Sequence, residues 1–535
     1  MTRSAAFIGL ILIRSGAAEV IQADAATYRV KLSTLKPGDT LSLAAGKYPR
    51  LFITELNGTE SAWITITGPP KDTPAVIVGA EGHNTVEIVN SSYVAIENLR
   101  IDSRGIAGAF GISAKGREEN VTHHIRVEAN TLVGQNGGQQ TDGISTKTPT
   151  WGWIIRSNRI IGAGTGLYLG DSDGSQPFVN GLIENNLIRD TIGYNMEIKY
   201  QTSIPDTPGM PTGPTSTIIR NNVFIKDDQR SPNGDRPNVL VGTFPATGAG
   251  SLHSYEIYGN LFVHNHREAL FQGAGRISLH DNIFIDGPYT YPAVVLSKRE
   301  GPLKVALVYN NTIYTSGKGI YFGTRAEIYD QVVGNLVFAA TPISGPVMLQ
   351  SGNIVDSIEK ASTYVKSPSF NWDSMDFYPL SGKCQGGPID LSDVHTDSDY
   401  SVDFNGTPKV QAKGAVVYRG AYAGEAVNPG WQLQADVKPF IAPTPMPTLV
   451  WLSLATGRAG STLQVKLSGA NFTTETTLAV SGPGIDINNV KVASATEITA
   501  TLKIASGAAA GVRAITVSTP SGNSNPVNFR VRPRR

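Results

Sequence analysis

Apolar and polar positions alternate in short runs along most of the chain, and asparagine punctuates the runs. The pattern appears as VAIENLRID around Asn98, IRVEANTLVG around Asn130 and WIIRSNRIIG around Asn158. It returns around Asn186, Asn222, Asn260, Asn282, Asn311 and Asn335, at steps of 32, 28, 28, 36, 38, 22, 29 and 24 residues. Period-two alternation predicts strands, so each copy reads as strand, tight turn, strand. Asparagine suits the turn because it tolerates left-handed backbone angles, and its amide can bond backbone groups on neighbouring turns.

A unit repeated at such spacing cannot bury its apolar face alone and must stack on its neighbours. Stacked asparagines would form a ladder that satisfies buried polar groups, and each step leaves room for one further strand and two loops. That is one coil of a parallel β-helix, expected over residues 27–436. The chain then changes character. VKPFIAPTPMPT, residues 437–448, has four prolines in twelve positions and reads as a stiff linker. Residues 449–533 carry short alternating strands, such as Leu463, Val465, Leu467 and Ile498, Ala500, Leu502, Ile504, which predict a small β-sandwich.

Composition agrees with a turn-dense, all-β chain. Of 535 residues 57 are Gly and 32 Pro, and only 17% are charged, which excludes a long coiled coil. A net charge of +1 leaves no basic footprint for nucleic acid. The single cysteine, Cys384, excludes an intrachain disulfide and a Cys-based zinc site. Arg3, the apolar run Ala5–Ile13 and the small residues Ser15–Ala17 have the layout of a secretory signal peptide over residues 1–17. A secreted, periplasmic or cell-surface monomer is expected. No other stretch approaches the ~18 apolar residues of a membrane span.

LKPGDTLSLAAGKY (residues 35–48) and LFITELNGTESAWITITG (residues 51–68) resemble the opening of the lyase family that includes chondroitinase B and alginate lyases, within the right-handed parallel β-helix superfamily of polysaccharide-acting proteins. DFYPLSGKCQGG (residues 376–387) and RGAYAGEAVNPGW (residues 419–431) resemble its irregular ending. SGANFTTETTLAVSGPGIDI and the later GVR resemble an IPT/TIG immunoglobulin-like domain, expected to be a spacer or adhesive unit. The resemblance implies a polysaccharide substrate, a calcium ion on the uronate carboxylate, a lysine that removes the neighbouring proton, and an arginine acid.

Aligning the strands DGISTK, GLYLGDSDG and YNMEIKYQ places Ser145, Tyr168 and Glu197 in one outward row and Lys147, Gly170 and Lys199 in the next. Coils are ~4.8 Å apart, so these groups share one patch, with Gly170 leaving a gap between the lysines for a sugar ring. By resemblance Lys199 matches the base and Glu197 a calcium ligand. The stacking adds Asn195, Asp171 and Asp173 as further ligands, and Lys147, Tyr168 and Tyr200 as substrate contacts. The family's Arg-His-Gly acid is absent; the corresponding RPNVLVGTF offers only Arg236, and Tyr200 stands where the family has Ser. Other readings stay open: Glu197 as a plain ion pair with Lys199 or Lys147, and GDSDG as a polar turn, a calcium loop or the carboxylate pair of a hydrolase. His123, His124, His264 and His266 lack carboxylates at metal-ligand spacing and read as coil surface. The function expected is a uronate-glycan lyase; the alternatives are a non-catalytic glycan-binding or surface-structural protein and a glycoside hydrolase.

Overall fold

The computed structural model describes residues 18–70, 72–115, 120–409, 416–439, 447–474, 476–519 and 522–534. The expected signal segment 1–17, and residues 440–446 of the linker, lie outside them. The chain divides into two compact units: Met1–Thr215 with Gln229–Gly234 and Thr247–Ser251, and Ser216–Asp228 with Asp235–Ala246 and Leu252–Arg535.

In the first unit the coils contribute three main strands each, with the two-residue strands Thr150–Trp151 and Phe178–Val179 added in two of them, and the strands pair in parallel with counterparts one coil on. One column runs through Ser92–Glu97, Thr122–Glu128, Ile154–Arg156 and Leu182–Glu184. A second runs through Leu99–Asp102, Thr131–Val133, Arg159–Ile161 and Leu187–Arg189. The third runs through Leu51–Thr54, Val86–Val89, Ile112–Lys115, Asp142–Lys147, Thr165–Leu169 and Met196–Ile198. Its inward positions, Ile53, Ile88, Ala114, Thr146, Leu169 and Ile198, are all fully buried. This is a parallel β-helix, as the repeat predicts. A short helix, Tyr28–Leu32, buries Tyr28 and Leu32 near the first strands; the Tyr28 hydroxyl donates to Pro49 O at 2.8 Å.

The asparagine ladder forms with one correction. Asn130, Asn158 and Asn186 are buried, and each side-chain oxygen accepts the backbone N–H of the residue one coil earlier: Leu99, Asn130 and Asn158, at 3.0 Å each. Their amide groups donate to Ile96, Val127 and Ile155 carbonyls at 2.8 Å. Asn98 is not a rung: it is exposed, and Leu99 holds the ladder position. The left-handed residue is also not the rung but its predecessor, Ala129, Ser157 and Asn185 here (φ 55°, 55° and 54°), with Asn98 in that same role (φ 55°). The turn needs φ > 0 one residue before the amide, which leaves the rung side chain free to point inward.

The second unit repeats the design. Asn222, Asn260, Asn282, Asn311 and Asn335 form successive rungs with side-chain oxygens 2.9–3.1 Å from the preceding backbone nitrogens, and Asn353, unforeseen, adds a sixth. Phe224, Phe262 and Phe284 stack inside at centroid distances of 5.1 and 4.5 Å. Arg419, in the Gly-Ala-Tyr ending, donates to the Gly352 and Gly387 carbonyls at 2.9 and 2.7 Å. Residues 448–532 form two mainly antiparallel sheets. Leu449, Val465, Leu467, Ile498, Leu502, Ile515, Val517 and Phe529 share one apolar cluster, the sandwich expected of the alternation.

Candidate functional site

The third strand column of the first unit carries the predicted patch. Its register pairs Ser145 with Tyr168 and Tyr168 with Glu197, and sets Ile144, Leu167 and Met196 in one inward row. Ser145 extends the outward row to Ser113, 3.1 Å away hydroxyl to hydroxyl. The Lys199 ammonium donates to Glu197 Oε1 at 3.0 Å, with side chains 12% and 5% exposed, so the pair is largely dry. The Lys147 ammonium lies 4.7 Å from the Tyr168 ring centroid and 4.9 Å from that of Phe110, a cation–π cradle.

Asp142 is the second acid of the patch. One of its oxygens lies 3.7 Å from Lys147 Nζ, and its side chain is 2% exposed. Burial pushes its carboxyl up to about 7, against the pull of Lys147 and with help from the Glu197 charge. Burial and the charges of Glu197, Asp142 and Asp171 hold the Tyr168 phenol far above its ordinary range, so it stays a protonated donor. Strict alternation hid Asp142, because it shares parity with the inward Ile144. A row of glycines breaks that parity. A Cβ on Gly111, Gly143 or Gly166 would come 2.3–2.6 Å from a backbone carbonyl of the next coil and against core side chains such as Leu132, Ile160 and Ile188. Gly143 and Ile144 therefore both face inward, and Asp142 is left on the outer side with Lys147.

Asn195 occupies the corner position in the next coil, opposite Gly166. It is fully buried, and its amide donates to Thr191 Oγ1 at 3.0 Å. Asp171 and Asp173 close their own turn: Asp171 Oδ1 accepts Ser172 N at 2.7 Å, and Asp173 Oδ1 accepts Ser175 N at 2.9 Å. That turn packs under Tyr200, since a Cβ on Gly174 would lie 2.7 Å from its ring. The Lys199 ammonium lies 5.6 Å from the Tyr200 ring centroid. Gly170 does not leave an open slot: its Cβ would sit 3.2 Å from Lys199 Cβ, so the lysine stem itself takes the space. Arg236 belongs to the second unit, where its guanidinium donates to Asp235 O at 2.9 Å.

Segment Gln229–Gly234 reaches this unit near the start of the site strands: Gln139 Nε2 donates to Gly234 O at 3.0 Å, and Asn233 N to Gln139 Oε1 at 2.8 Å. The loop after Gln201 packs Ile204 and Met210 on Trp151 and Val179, the neighbouring face. A calcium site needs six to eight oxygen ligands gathered together. Among the described residues, no three carboxylate or imidazole ligand atoms of this unit come within 4.8 Å of one another, and Glu197 commits one oxygen to Lys199. What the arrangement offers is two cations, two acids and one protonated phenol on a single strand face.

No protein-family model matches the chain, and no curated protein matches it in sequence. Several solved structures are similar. An alginate lyase from Paenibacillus sp. str. FPU-7 is 15% identical with a TM-score of 0.34, over 63% of this chain and 99% of that one. The PL6 family alginate lyase AlyGC is 14% identical with a TM-score of 0.32, over 63% and 53%. The PL6 family polysaccharide lyase Pedsa3628 from Pseudopedobacter saltans is 12% identical with a TM-score of 0.35, over 63% and 93%. Likeness at this level carries no reaction across, and the fold stands on the strand pairing described above.

Proposed function

We propose that the chain is a secreted lyase that cuts a uronate-containing polysaccharide by β-elimination on the outer face of the first unit. The observation that supports this most is the dry Lys199–Glu197 pair, stacked one coil beyond Tyr168 with Lys147 on the same face. A β-elimination needs the substrate carboxylate neutralised, the proton beside it removed and the departing oxygen protonated. Lys147, the more exposed cation at 28%, receives the carboxylate. Lys199, in the free-base form that this role requires, takes the substrate proton as the C–H bond breaks. The ring double bond forms as the glycosidic C–O bond breaks, and the Tyr168 phenol stands as donor to the leaving oxygen.

A glycan-binding protein without catalysis is the second reading. It is favoured by the same short Lys199–Glu197 contact, since a lysine held by a carboxylate keeps its proton. Incubation with alginate, pectate and chondroitin, with and without calcium, separates the two. The lyase reading expects ultraviolet absorbance from unsaturated uronate products on at least one of these glycans. Retention on a glycan column with no new absorbance supports binding alone, and new reducing ends without absorbance point to hydrolysis.

A further inference from the structure

The second unit holds a group of residues that distance along the chain conceals. His264 and His266 follow the strand Leu261–Val263, and Asp228 follows Val223–Ile225, its partner one coil earlier. The parallel register brings the three together although 36 residues separate Asp228 from His264. Their ligand atoms all lie within 4.8 Å of one another. His264 Nε2 is 3.0 Å and His266 Nδ1 3.8 Å from Asp228 Oδ1. These spacings bracket the about 3.3 Å between neighbouring ligands of a tetrahedral zinc ion with ~2.0–2.1 Å bonds. The reading of these histidines as plain coil surface is therefore corrected: the carboxylate is supplied by the coil before.

Two further observations point to a ligand. Both ring nitrogens of His266 are shut off from water without hydrogen-bond geometry to a partner, and buried polar atoms in that state call for an explanation such as an ion. The backbone is also held in place. His264 N donates to Ile285 O at 2.9 Å with φ at +61°. Asn265 N donates to Asp286 Oδ1 at 3.0 Å, while Asn265 Oδ1 accepts the N–H groups of Arg267 and Glu268 at 3.1 and 3.0 Å. Tyr289 donates its hydroxyl to Asp228 Oδ1 at 3.0 Å and so orients the carboxylate, as outer partners of metal ligands do.

We propose that Asp228, His264 and His266 bind one first-row divalent transition ion of the zinc type, with Tyr289 positioning the carboxylate. Two imidazoles and one carboxylate suit zinc and its neighbours and disfavour calcium, which takes oxygen ligands. Asp228 is 72% exposed, so the remaining coordination positions open to solvent.

The test uses the full, untagged chain, stripped with a chelator and titrated with zinc by calorimetry. One zinc equivalent per chain is expected, with calcium unable to compete, and the loaded protein should melt at a higher temperature. Asp228→Asn, His264→Gln and His266→Gln should each weaken zinc at least about tenfold, and Tyr289→Phe by a similar or smaller factor. Cobalt should give the visible absorption of a low-coordinate nitrogen and oxygen site, lost in Asp228→Asn. That exposed side chain can be changed without disturbing the core, so it keeps the test decisive should a histidine variant fail to fold. No zinc uptake, uptake unchanged in Asp228→Asn, or calcium competing equally would overturn the proposal. None of these readouts depends on glycan cleavage.

Discussion

Asn282 shows what a single rung does. Its oxygen accepts Asn260 N and Nδ2 at 3.0 and 2.9 Å, and its amide donates to Ile257 O and Asn311 Oδ1 at 2.9 and 3.0 Å. All of these groups are buried, so truncation strands several polar atoms at once, each at about 1–3 kcal/mol. Asn282→Ala should therefore lower the free energy of unfolding by ~3–5 kcal/mol, read from the denaturant midpoint. Asn98→Ala should change it by no more than ~1–2 kcal/mol, because the side chain is exposed and the left-handed backbone is the main cost for Ala; the equivalent position one coil on is already Ala129. The repeat was legible in the sequence because every rung needs the same amide. Asn98 was miscounted because the residue before a rung also favours asparagine, for its backbone angle and not for its side chain.

The strand Asp142–Lys147 carries one pH-dependent contribution to the stability of the first unit. The Asp142 carboxyl rises from 3.8 to about 7, so between those values the folded chain holds a proton that the unfolded chain releases. Its contribution to stability therefore falls as pH rises through that window and flattens above about 7. Asp142→Asn should remove that slope, measured as the difference in unfolding free energy between the two proteins across the range. The same proton changes the charge of the face. With Asp142 neutral, Lys147 and Lys199 outnumber Glu197, so a polyuronate should bind more tightly as pH falls through about 7, and Asp142→Asn should flatten that trend as well. Lys147, Tyr168, Glu197 and Lys199 could be found from alternation alone, since one register error would have moved them all to the core. Asp142 could not: the packing of Gly143 against Gly166 O and Ile160 reverses the parity, and a lone sequence does not announce a corner. The Asp228–His264–His266 group was hidden differently, because its spacing is set by coil length and not by a local motif.

At the scale of the molecule, the sandwich of residues 448–532 has its own apolar cluster. A fragment of residues 447–535 should therefore fold alone with one cooperative transition, checked by circular dichroism during heating; failure to fold would show that it depends on the rest of the chain. The parallel β-helix itself was readable from the spacing of the amides, and the chemistry on it less so, since one architecture carries many activities. The central claim is that Lys199 removes the substrate proton. The most direct measurement is the initial rate of unsaturated uronate formation by the wild type, Lys199→Ala and Lys199→Arg on the glycan that the wild type cleaves. Both variants should lose at least ~100-fold, Lys199→Arg included, because arginine keeps the charge but cannot give up its proton. A Lys199→Arg rate within a few-fold of wild type, or a wild type that forms no unsaturated product on any uronate glycan, contradicts the account.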